Sequence, residues 1–159
     1  MENEMRIMGI SPGPDTCGFV VVDKSGNFLR GESLPIGYLI EDVLPSVNVV
    51  AIELLIPPWY IYEDALAETS LAAGRLWQAA LDRNLRVYRI SRNDCVRTAC
   101  NKHAGWEAMS QMLQRRCVSK EQCRTNTGIK IAFTVALYAS EIEAKFEAVS
   151  RYAQTYTME

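Results

Sequence analysis

Val47 to Leu55 is an apolar run interrupted only by Asn48 and Glu53. A run of this kind, without the alternation of a half-solvated strand, reads as a central strand buried on both faces. The segments before it fit the same picture. Arg6 to Ile10 is a short buried strand, Pro12-Gly13-Pro14-Asp15 a turn, and Cys17 to Asp23 a second strand rich in β-branched residues. Asp23 to Asn27 is a hairpin loop, and Phe28 to Leu34 returns antiparallel. Pro35 to Leu44 starts on one proline, stops before Pro45 and is expected to be a short helix.

After Pro57-Pro58 the period changes. Leu66, Thr69, Ala73, Leu76 and Ala80 recur at helical spacing, which predicts a long helix over 63–84. Leu85 to Ile90 is a fifth strand, and further helices are expected over 93–99 and 105–116. The last helix is expected over 129–151, with Ile129, Phe133, Ala136, Leu137 and Ala144 inward. A hairpin followed by crossover units is an α/β arrangement. The 159 residues show no repeat or linker and are read as a single domain, 1–159.

With 48% hydrophobic and 23% charged residues the chain is not of the disordered class. No apolar run approaches the roughly 20 residues of a membrane span. Met1-Glu2-Asn3-Glu4 lacks the basic start of a signal peptide, so a cytoplasmic protein with reduced thiols is expected. Charge is distributed unevenly. Residues 83–130 hold eleven Lys and Arg against Asp94, Glu107 and Glu121, a local +8 within a chain of net charge −2. That asymmetry suggests a basic face, either for a phosphate-bearing partner or as solvated surface.

Four segments carry a family resemblance. Residues 7–19 (Ile-Met-Gly-Ile-Ser-Pro-Gly-Pro-Asp-Thr-Cys-Gly-Phe), 51–53 (Ala-Ile-Glu), 72–92 with Gly74, and 127–139 (Thr-Gly-Ile-Lys-Ile-Ala-Phe-Thr-Val-Ala-Leu-Tyr-Ala) resemble the RuvC-like Holliday junction endonucleases. The resemblance covers nearly the whole chain. It implies an RNase H-like α/β fold, a five-stranded mixed sheet flanked by helices. It also implies Mg²⁺- or Mn²⁺-dependent cleavage of branched DNA by a homodimer. Such chemistry needs several carboxylates around two metal ions about 4 Å apart, and hard Mg²⁺ prefers oxygen ligands.

The expected acids are mostly missing. Ser11 stands where the first strand should carry one, and Gly128 and Ile131 stand at the two positions of the last helix. Only Glu53 remains, and no Asp or Glu occurs from 122 to 140. Glu53 is then either a residual metal ligand or an inherited carboxylate, solvated or hydrogen-bonded by Ser11. Asp15, in the first turn, is a weak second candidate ligand.

The remaining candidates concern binding. Arg89, Arg92, Arg97, Lys102, Arg115 and Arg116 are the basic residues placed toward phosphate. Trp59 and Tyr60 could stack on unpaired bases or pack an interface. The long helix carries Leu71, Trp77 and Leu81 outside its inward set, which suggests a two-fold dimer. Cys95, Cys100, His103, Cys117 and Cys123 are spaced too widely for a zinc knuckle. The expected function is a RuvC-like protein that binds branched or duplex DNA as a homodimer, without membrane association, and is deficient in metal-dependent cleavage. The alternatives are an active endonuclease with rearranged ligands and a homodimer that contacts protein.

Overall fold

A computed structural model describes residues 4–54, 63–102, 105–116 and 127–157. Five strands form one sheet: β1 (Arg6–Ser11), β2 (Thr16–Asp23), β3 (Phe28–Pro35), β4 (Val49–Leu54) and β5 (Arg86–Ser91). Their order is β3-β2-β1-β4-β5. The β1–β2 and β2–β3 pairs are antiparallel, whereas β4 runs parallel to both β1 and β5. The sheet is therefore mixed, as expected. Pro35 ends β3, an edge strand, where proline is tolerated.

The helices are α1 (Ile36–Tyr38), α2 (Glu63–Asp82), α3 (Arg92–Lys102), α4 (Trp106–Arg116) and α5 (Thr127–Thr157). Strand alternation sorts the core into two layers. Met8, Ile10, Val50 and Ile52 meet Leu76 and Ala80 of α2 on one face. Ile7, Ala51 and Ile90 meet α3, α4 and α5 on the other, through residues such as Ala99, Leu113 and Phe133. The central strand is buried on both faces because both faces carry helices.

Local chemistry explains most boundaries. Asp23 holds the β2–β3 turn, its carboxylate accepting the backbone N–H groups of Ser25 and Asn27 at 2.9 Å. Asn84 takes a left-handed φ of 55° after α2. The Leu85 N–H then reaches the Ala80 carbonyl at 3.0 Å and the Asn84 N–H reaches that of Leu81 at 2.9 Å, which closes the helix in a Schellman pattern. Ser91 caps α3. Its hydroxyl donates to Asp94 Oδ2 at 2.8 Å, and the Asp94 N–H points back to it at 3.4 Å. This cap starts α3 at Arg92.

Two expectations need correction. The segment after β3 is not one helix ended by Pro45. A single α turn passes into a π turn (Leu39–Val43) and a 3-10 turn (Leu44–Ser46) that contains Pro45. Proline is tolerated there because the first N–H groups of a helical turn have no internal partner. On α5, Ala144 is exposed, and Glu143 faces inward in its place.

Candidate functional site

Ser11 and Glu53 are the last residue of β1 and the next-to-last of β4, and the parallel register sets them side by side. By strand alternation both point to the face covered by α5. The Ser11 hydroxyl donates to Glu53 Oε2 at 2.7 Å. Glu53 is only 3% exposed. Its second oxygen, Oε1, accepts the Arg92 Nε–H at 2.6 Å. Arg92 opens α3 directly after the end of β5, two residues beyond Ile90, the β5 partner of Glu53. Each carboxylate oxygen therefore has a charged or hydroxyl donor, which is what a buried carboxylate requires.

The first turn of α5 closes over this end of the sheet. A Cβ built on Gly18, the β2 partner of Ser11, would stand 2.5 Å from the Gly128 carbonyl carbon. Gly9, two residues before Ser11, touches Ala132 and Ala136 in the same way. Gly128 and Ile131 thus approach the sheet near the Ser11–Glu53 end, and Ile131 is buried in the apolar core. Beside it the Thr134 hydroxyl lies 2.7 Å from the Ile131 carbonyl and 3.1 Å from Cys95 Sγ. Burial pushes the Cys95 thiol up, against a smaller downward pull from Thr134, and the charge of Glu53 pushes it further up. A protonated, buried thiol is neither nucleophile nor metal ligand.

This donor set does not fit a pair of divalent ions. Mg²⁺ and Mn²⁺ need several oxygen ligands with free lone pairs. Here one carboxylate already serves a hydroxyl and a guanidinium, and α5 offers glycine and isoleucine. Among the described residues no three His, Cys, Asp or Glu side chains are grouped to hold a metal. Asp15 is exposed in the β1–β2 turn, and among the described residues no hydrogen bond or ion pair links it to Glu53.

Among the described residues the basic side chains of this stretch point in different directions. Arg89 turns to the α2 side, where its guanidinium stacks 5.4 Å from the Trp77 ring centre. Arg86 turns to the α5 side at the other end of β5 and pairs with Glu143. Arg97 lies 3.5 Å from Asp94, while Arg115 and Arg116 are exposed at the end of α4. Lys102 ends α3, with its side chain outside the described residues, as are Trp59 and Tyr60. A cleft of about 310 Å³ lies beside Glu53, between β4 and α2, lined by Leu54, Gly74, Trp77 and Arg89.

Sequence reasoning missed two pairings. The sequence places Arg92 toward phosphate and gives no sign of its tie to Glu53. The Arg86–Glu143–Tyr88 cluster was not foreseen, although Glu143 falls in phase with Ala136 on the inward stripe of α5. Its carboxylate is tolerated there because Tyr88 donates to Oε1 at 2.7 Å and Arg86 bonds Oε2.

No protein-family model matches the chain, and no curated protein matches it. Solved structures do. The RuvC of Thermus thermophilus in complex with a Holliday junction substrate is similar over 89% of this chain and 96% of its own, at 21% identity and a TM-score of 0.64. A second Thermus thermophilus RuvC structure matches over 89% of this chain and 97% of its own, at 21% identity and a TM-score of 0.63. The fold is RuvC-like, as the sequence resemblance implies.

Proposed function

We propose that the chain is a RuvC-like DNA-binding protein that has lost metal-dependent cleavage. The observation that carries this reading is the state of Glu53. The one carboxylate left at the strand ends is held by Ser11 and Arg92, and the facing helix presents Gly128 and Ile131. A nuclease of the two-metal type must hold both ions at the attacking and leaving oxygens, and these residues supply no second carboxylate. Binding to branched or duplex DNA is supported by the fold match to a RuvC in complex with a Holliday junction substrate. The exposed guanidinium groups of Arg92, Arg97, Arg115 and Arg116 support it too.

A homodimer and a cytoplasmic location belong to the same reading. Leu71 and Leu81 of α2 are 69% and 45% exposed and would be covered by a two-fold partner, whereas Trp77 packs against the core and under Arg89. Among the described residues no helix is long and apolar enough to cross a membrane.

The test is a four-way junction assayed for binding and nicking in Mg²⁺ and Mn²⁺. The expected result is a shifted, intact junction. Robust nicking that Glu53→Gln abolishes would overturn the reading.

A further inference from the structure

We propose that Arg92 is a built-in phosphate receptor, a guanidinium held by Glu53 on one edge and offered to the DNA backbone on the other. The inference rests on the DNA-binding reading above and names the group that contacts phosphate at this end of the sheet.

Geometry sets the two edges apart. Arg92 spends only its Nε–H on Glu53 Oε1. Its side chain is 56% exposed, and among the described residues the Nη1 and Nη2 groups meet no other partner. A guanidinium has five N–H donors in a planar fork, so four remain for oxygen acceptors. Phosphate oxygens match that fork in bidentate fashion.

The anchor matters as much as the donors. A free surface arginine must give up much of its rotamer freedom to hold a phosphate. Arg92 has already given it up, because the Glu53 carboxylate is itself fixed by Ser11 and by burial. A receptor ordered before binding loses less on association. The nearest acid on α3, Asp94, is engaged by the Ser91 hydroxyl and by Arg97 at 3.5 Å, which blunts its repulsion of phosphate. The receptor is an organic cation, so it needs no metal to hold the anion.

A structural role alone would make Arg92 nothing more than the counter-ion of Glu53. The double variant Glu53→Gln with Arg92→Gln separates these roles. It leaves the pair neutral, as in the unmodified protein, and keeps amide groups able to bond each other. If Arg92 only neutralises Glu53, junction affinity is unchanged. If Arg92 grips phosphate, affinity falls about tenfold, the scale of one charge-assisted hydrogen-bonded contact.

The experiment is fluorescence anisotropy with a labelled four-way junction at fixed ionic strength, in EDTA and in Mg²⁺. Expected are equal affinities of the unmodified protein in both media and a tenfold loss in the double variant. Arg92→Lys keeps the ion pair and the fold but removes the fork, and should lose several-fold. Affinities of both variants within twofold of the unmodified protein would overturn the receptor assignment while leaving the DNA-binding reading intact. An unmodified protein that binds no junction or duplex even at low salt would overturn both.

Discussion

Gly9 lies directly beneath Ala132: a Cβ added to Gly9 would stand 2.1 Å from the Ala132 carbonyl oxygen and 2.4 Å from the Ala136 nitrogen. Both atoms are backbone, so neither can swing aside. This contact sets how closely α5 rides over β1, and hence how near Gly128 and Ile131 come to the Ser11–Glu53 end.

Gly9→Ala should therefore destabilise the protein by about 3 kcal/mol, the upper end of ordinary overpacking. Gly74 is the control. A Cβ there meets nothing within 4 Å, and its site lies inside α2. Gly74→Ala should stabilise by about 0.5–1 kcal/mol through helix propensity. Urea midpoints of the two variants should move in opposite directions, and coincident midpoints would contradict the helix contact.

The Arg86–Glu143 pair should respond asymmetrically. Side-chain exposure is 55% for Arg86 and 3% for Glu143. Removing Arg86 strands a buried carboxylate with only Tyr88 for company, whereas removing Glu143 frees a cation that water can reach. Arg86→Ala should cost about 2–3 kcal/mol, less than a fully buried pair because Arg86 is half in solvent. Glu143→Leu should stay within about 1 kcal/mol of the unmodified protein, since apolar replacement of a buried ion is often neutral. Denaturant titration of both variants reads the difference directly.

Tyr88 gives a pH signature to the same cluster. Burial, then its hydrogen bond to Glu143 and that group's charge, push the phenol up from its ordinary value, against a smaller pull from Arg86. The unfolded chain releases this proton near pH 10, while the folded chain retains it longer. The stabilisation is thus complete below about pH 10 and is lost as pH climbs through the folded value. Tyr88→Phe should flatten the alkaline fall in stability, measured as unfolding free energy from neutral pH upward. Identical alkaline slopes in the two proteins would remove Tyr88 from the account.

The sheet was legible in the sequence because strand length, turn chemistry and alternation are local. The buried run at 47–55 and the Asp23–Asn27 turn needed no knowledge of partners. Glu53 is legible as a leftover acid, and its position beside Ser11 makes a hydrogen bond between them one of two readings of the sequence. Arg92 was not legible as its counter-ion, because that contact depends on how the Ser91 cap launches α3, at a sequence separation of 39. Glu143 was hidden for a similar reason. A carboxylate on an inward stripe looks like an error of phase until Arg86 and Tyr88 are found on the strand beneath it.

Rebuilding a metal site takes more than restoring acids. Ser11→Asp alone returns one carboxylate beside Glu53, whose other oxygen already holds Arg92, and the guanidinium would be its counter-ion. The added acids of α5, Gly128→Asp and Ile131→Asp, would meet the same resident cation. We expect that only these three changes combined with Arg92→Ala create a divalent site. The metal-free quadruple variant should be strongly destabilised, since clustered carboxylates repel one another and burial disfavours their charge. Metal bound to the folded state alone would reverse part of that loss, and the gain should grow with the logarithm of ion concentration. Thermal unfolding in millimolar Mn²⁺ is the measurement. The melting temperature of the quadruple variant should rise by several degrees, while the unmodified protein and Ser11→Asp should show no shift beyond that of an ionic-strength control. A Mn²⁺-specific rise in the unmodified protein, lost in Glu53→Gln, would mean that Arg92 yields its place to a metal.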